Sequence, residues 1–230
     1  MSISRKREKS ISTATPRRAI AVSKQPREMG RRQRRAALTR VRLFRSALRL
    51  FAKHGFQNVT VEDITEASDV GKGTFFNYFE TKDHVLIVMA EIQLGKVGEA
   101  AARAIAGKQP IYAVLRRLAQ RLAEEPGRSP GLARTFISSF LTSPGVREIL
   151  KRKMQEGRKA IGSLIAEGQR RGEINPRLRP AKVATQFHQT CMGAVLLWSL
   201  QEEPALKTWI EDSFQHFWRS IAVSPKKKAS

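Results

Sequence analysis

Cysteine occurs once in the 230 residues, at Cys191, which excludes an intrachain disulfide and fits a reducing cytosol. Long apolar runs are missing as well. Val85–Ala90 and Met192–Trp198 fall well short of the roughly 20 residues that a membrane span requires. A nucleotide-binding loop is excluded by spacing: Gly71-Lys72 is followed by Gly73, and the position five before Gly71 is Glu66, so G-x-x-x-x-G-K-[ST] is not met. No nucleophile, base and orienting group form a recognisable catalytic set. His188 and Cys191, at i and i+3, find no further matched metal ligands, so no enzyme, metal site or cofactor is expected.

Acidic residues are scarce beside basic ones, 20 Asp and Glu against 43 Lys and Arg, for a net charge of +23. The excess is concentrated: residues 1–54 hold 17 Lys and Arg with only Glu8 and Glu28 as acids. Such clustering points to an anionic polymer, because each phosphate neutralised releases condensed counterions. Residues 1–35, rich in Ser, Arg and Lys and without an apolar period, are expected to form a disordered basic arm. A solvated tail, a transit-like peptide and an arm entering a DNA minor groove all remain open for it. A start at Met29 in place of Met1 would remove most of the arm, and 224–230 form a second basic tail.

From about Thr39 the pattern becomes helical. Leu43, Phe44, Ala47, Leu48, Leu50 and Phe51 form an apolar face, while Arg42, Arg45, Arg49 and Lys53 share another, and Gly55 ends the helix. Thr60 with Asp63 starts a short second helix with Val61, Ile64 and Ala67 inward. Asp69 occupies a tight turn, where it tolerates a left-handed backbone, and Gly71 caps a third helix over about 72–79. Two short helices joined by a tight turn behind a longer one make a helix-turn-helix, whose last helix enters a DNA major groove. Phe75 and Phe79, at i and i+4, face the core, leaving Lys72, Gly73, Thr74, Phe76, Asn77 and Tyr78 outward. Gly73 permits close approach to a DNA backbone, Lys72 and Lys82 carry charge for phosphates, and Asn77 can hydrogen-bond a base edge.

The run from Leu43 to beyond Leu86 resembles the DNA-binding domain of the TetR/AcrR family of bacterial transcriptional regulators. Phe51-Ala52, Gly55-Phe56, Thr60-Val61, Ile64, Val70, Lys72-Gly73-Thr74, Tyr78-Phe79 and Lys82 carry the resemblance. It implies that Thr60, Lys72, Thr74, Phe76, Asn77, Tyr78 and Lys82 contact double-stranded DNA. The chain departs from the family pattern at Asp69, where glycine is usual, at Gly71, where serine is usual, and at Phe76, where tyrosine is usual. Loss of the tyrosine hydroxyl removes a phosphate hydrogen bond but leaves contact with a thymine methyl available.

Beyond Thr81 the apolar spacing predicts further helices over about 82–106, with Val85, Leu86, Met89, Ile92 and Val97 inward, then 110–125, 130–142, 146–171, 180–200 and 204–223. No strand alternation or repeat interrupts them, so the chain is expected to be all-α: arm 1–35, helix-turn-helix domain 36–84, helical effector-binding and dimerisation domain 85–223, and tail 224–230. In proteins similar to this one the middle helices enclose a small-molecule effector, which makes Phe136, Phe140, Met154, Phe187, His188, Cys191 and Trp198 candidate pocket residues. Each is equally at home in an ordinary core. The resemblance also implies a homodimer through the last two helices, whose candidate contacts are Gly193, Ala194, Leu197, Trp209, Phe214, Phe217 and Trp218. The expected function is a cytoplasmic dimeric repressor released from a palindromic operator by its effector. The alternative is an architectural DNA-binding protein driven by the basic arm, with little sequence preference.

Overall fold

The computed structural model describes residues 30–107 and 109–223. Among these the regular structure is helical: α1 (Arg31–His54), α2 (Val61–Glu66), α3 (Lys72–Phe76), α4 (Lys82–Ala106), α5 (Ile111–Ala123), α6 (Pro130–Thr142), α7 (Pro144–Arg170), α8 (Pro180–Gln201) and α9 (Leu206–Ile221). A short 3-10 turn, Pro126–Arg128, precedes α6. One isolated antiparallel bridge, Ile174 to Ala222, ties the α7–α8 loop to the end of α9.

The chain divides within α1 into two units, Met1–Thr39 and Arg40–Ser230. In the first unit, Arg31–Thr39 is helical, with Arg34 N donating to Gly30 O at 3.0 Å. Helix therefore begins earlier than the apolar pattern predicts, and residues 31–35 do not belong to an unstructured arm. The physical reason is intrinsic propensity: Arg, Gln, Ala and Leu all favour helix, even where no apolar stripe calls for one. The remainder of the expected arm, the Met29 position and the 224–230 tail lie outside the described residues.

Within the second unit, one core joins α1, α2, α3 and the start of α4 around Leu43, Phe51, Ile64, Phe75, Phe79 and Leu86. Phe51 and Phe56 meet edge to face with centroids 5.0 Å apart. Two sequence expectations are corrected here. Ala67 is exposed while Thr65 and Ser68 are buried, because α2 ends at Glu66 and the chain then leaves the helical period. Ile92, on α4, is 38% exposed, because the inward stripe passes through Met89, Gln93 and Val97 instead.

A second core, centred on Leu115, Ile161, Phe187 and Phe214, holds α5, α7, α8 and α9 with the later turns of α4. Helix α6 belongs to both: Leu132 and Phe136 pack with the helix-turn-helix core, and Ala133 packs with the second core. Its first turn closely approaches the end of α1, since a Cβ on Gly131 would collide with the Ala52 carbonyl oxygen. One turn later, the Thr135 hydroxyl donates to the Phe51 carbonyl at 2.9 Å.

Candidate functional site

The start of α2 is fixed by a complete capping box. Asp63 N donates to Thr60 Oγ1 at 3.1 Å and Thr60 N donates to Asp63 Oδ2 at 2.7 Å. The Thr60 hydroxyl also donates to the same carboxylate at 2.7 Å, so its proton is committed within the loop. These bonds from the Thr60 backbone and side chain hold the Asp63 carboxyl below its ordinary range.

The turn into α3 runs through Asp69 at φ +50°, the left-handed conformation that its position requires. Gly71 then occupies the N-cap of α3 with extended backbone and no side chain to cap the helix. Phe75 and Phe79 are fully buried, 5.3 Å apart between centroids, and anchor α3 from beneath. Arg40 lies over the Phe79 ring at 5.9 Å.

On the opposite side of α3, Lys72, Gly73, Phe76 and Asn77 are exposed, while Thr74 and Tyr78 are half-buried. Phe76 remains 49% exposed despite standing against Phe75. A Cβ on Gly73 would meet nothing within 4 Å, so the chain's own packing gives no reason for glycine there. Lys72 pairs with Glu62 of α2, which lowers the Glu62 carboxyl chiefly through that hydrogen bond. The structure thus brings six of the eight predicted contact residues onto or beside one short helix.

Lys82 is placed differently. Its ammonium donates to the carbonyls of Phe56 and Val59, each at 2.8 Å, and lies 4.4 Å from the centre of the Phe56 ring. The first residue of α4 therefore clamps the loop between α1 and α2, and partial burial pushes its ammonium pKa down. A basic row that does remain exposed runs along α1 through Arg42, Arg45, Arg49 and Lys53.

Further along, α4 forms one wall of an apolar cavity of about 120 Å³ shared with α6, α7 and α8. Of the predicted pocket residues, Phe136, Met154, His188 and Cys191 line it. Phe140, Phe187 and Trp198 do not. Phe140 stacks edge to face on Phe136 at 4.8 Å, Phe187 faces Phe217 at 5.5 Å, and Trp198 Nε1 donates to the Glu202 carbonyl at 3.1 Å. Burial lowers the His188 imidazole pKa, assisted by nearby Arg158, and pushes the Cys191 thiol up to about 12. Sequence reasoning missed Gln93 and Lys153 in the cavity wall. For Gln93 the signal was present: a polar residue between Met89 and Val97 on the inward face of α4.

Across α8 and α9, Ala194, Phe214 and Phe217 are buried within the chain's own core, where Phe214 meets Tyr112 at 5.6 Å. Gly193, Trp209 and Trp218 are half-buried and Leu197 is exposed. Leu196 and Leu200, the latter 65% exposed, extend the apolar surface of α8. Among the described residues no cluster of three His, Cys, Asp or Glu side chains is placed to hold a metal, and no helix is long and apolar enough to cross a membrane.

The family model for bacterial regulatory proteins of the tetR family matches residues 43–89, and a tetracyclin repressor-like C-terminal domain model matches 133–214. The HTH-type transcriptional regulator TcmR of Streptomyces glaucescens is 28% identical over 192 residues, covering 79% of this chain and 82% of that protein. A TetR transcriptional regulator from Chloroflexus aurantiacus superposes with a TM-score of 0.61 at 26% identity, covering 83% of this chain and all of the other (100%). The fatty acid degradation regulator FadR from Bacillus halodurans shares the fold, with a TM-score of 0.66 at 18% identity over 78% of this chain and 94% of that one.

Proposed function

Because the chain belongs to the TetR family of bacterial regulatory proteins, we propose that it is a homodimeric repressor that holds a palindromic operator and releases it when a small molecule fills the cavity beside α4. The observation that carries the coupling is the double engagement of α4. Lys82, at one end, holds the loop carbonyls of the helix-turn-helix, while Gln93, further along, lines the cavity. Along the helix these residues stand about 16 Å apart at 1.5 Å per residue. An effector that prefers a displaced α4 would move the recognition helices out of register by shifting the population between two states.

In this reading Lys72, Gly73, Thr74, Phe76, Asn77 and Tyr78 meet the major groove, with Asn77 reading a base edge and Phe76 offering contact to a thymine methyl. Thr60 and Lys82 support that surface by fixing the loop beside it. Gly193, Leu197, Trp209 and Trp218 face a second copy, joined by Leu196 and Leu200, whereas Ala194, Phe214 and Phe217 hold α8 and α9 together from within. A twofold dimer would set the recognition helices about 34–36 Å apart, one turn of DNA. The site of action is the cytoplasm, and the reading assigns the chain no catalytic role.

Exposed Phe76 and the glycine at 73 favour a shaped recognition surface over an architectural coat driven by charge alone. Footprinting with wild-type protein and a Lys72→Ala/Asn77→Ala variant tests the proposal. Loss of sequence preference in the variant is expected; an unchanged footprint would overturn the assignment of α3.

A further inference from the structure

Gln93 presents a buried oxygen with no protein partner to the ligand cavity. Its Nε2 donates to the Leu122 carbonyl at 3.0 Å, which fixes the amide orientation, since the reverse would set two acceptors against each other. Oε1 is consequently an acceptor, fully buried and unpartnered within the chain, on a residue that lines the cavity. Leaving such an acceptor unmatched is costly on the scale of a hydrogen bond, and a donor brought by a ligand would relieve it.

The remaining walls limit what else the ligand can carry. They are predominantly apolar, with Phe136, Met154 and Ile161 among them. The cation at the cavity, Lys153, already lies 3.8 Å from Glu91 and 3.9 Å from Glu156. Arg158 adds a positive charge near His188, so the two cations and two carboxylates around the cavity balance. Neither the thiol of Cys191, held protonated by burial, nor the imidazole of His188, held neutral by burial and Arg158, supplies a counter-ion. The volume of about 120 Å³ is close to that of dry cavities of about 150 Å³ that accept benzene.

We infer that the cavity takes an uncharged, largely apolar ligand about one ring in size, carrying a hydroxyl or N–H that donates to Gln93 Oε1. The inference rests on the effector reading given above for the same cavity.

Isothermal titration of the full-length chain with 4-methylphenol, toluene and benzoate tests it. Phenol is expected to bind about tenfold more tightly than toluene, the scale of one hydrogen bond, with benzoate weakest. Gln93→Met retains side-chain length, and should bring the phenol-to-toluene ratio close to one even if both bind more weakly. Equal binding of phenol and toluene to the wild type, tightest binding of benzoate, no binding of any probe, or a ratio that survives Gln93→Met would overturn the inference. Operator affinity is measured separately with the protein saturated by the phenol. If the expected ranking holds but DNA is not released, the ligand class stands and the effector reading falls.

Discussion

The ammonium of Lys82 donates to the carbonyl of Val59 at 2.8 Å, joining the start of α4 to the loop that precedes α2. Lys82 also holds the Phe56 carbonyl at 2.8 Å, so truncation leaves two loop acceptors without this partner. Lys82→Met is expected to destabilise the protein by about 1–3 kcal/mol, measured by urea denaturation. A positioning role lowers DNA affinity while the slope of log affinity against log salt stays unchanged. A phosphate contact would instead reduce that slope by about 0.9.

Gly73 separates folding from recognition. Its Cβ position is open and lies inside α3, so Gly73→Ala should stabilise the fold slightly, by up to about 1 kcal/mol from helix propensity. Operator affinity is nevertheless expected to fall at least several-fold as the added methyl blocks close approach of the DNA backbone. Thermal unfolding and fluorescence anisotropy on labelled operator, run on the same preparation, separate the two effects; unchanged affinity would mean that this face does not meet DNA.

Much of this architecture is legible in the sequence for local reasons. Thr60 and Asp63 specify a helix start through bonds made three residues apart, and Gly55 and Asp69 mark positions that adopt φ of +81° and +50°. Phe75 and Phe79 reveal the buried face of α3 by spacing alone. What sequence reasoning cannot see is the partner supplied by a distant element. Lys82 reads as a free phosphate ligand until the loop carbonyls 23 and 26 residues away are placed around it. Phe187 and Trp198 share the aromatic character of pocket residues, yet helix packing turns them into the core while Gln93 reaches the cavity.

His188 supplies a pH dependence. Its folded-state pKa lies below the ordinary value of 6.5, so above that value both folded and unfolded chains carry a neutral imidazole there. As pH falls below about 6.5 the unfolded chain takes up the proton first, and stability is lost progressively toward the lower folded value. Denaturation midpoints recorded from pH 7.5 to 5 should decline more steeply in wild type than in His188→Asn. Parallel declines would show that His188 makes no contribution.

The approach of Gly131 to the Ala52 carbonyl joins α6 to the end of α1. In Gly131→Ala the methyl must force the two backbones apart, with an expected destabilisation of about 1–3 kcal/mol. Operator affinity should fall with it, because the displaced α1 belongs to the helix-turn-helix core. Thr135→Val, which removes the hydrogen bond to Phe51 without adding bulk, should have a smaller effect of about 1 kcal/mol. Chemical denaturation of both variants checks the order, and equal losses would deny Gly131 its steric role.

The central claim is most directly tested by selecting genomic fragments bound by the purified full-length protein at roughly physiological salt, followed by footprinting. The account predicts a short palindrome with half-sites one helical turn apart, protected by a dimer. Uniform recovery of fragments without a shared motif would contradict it.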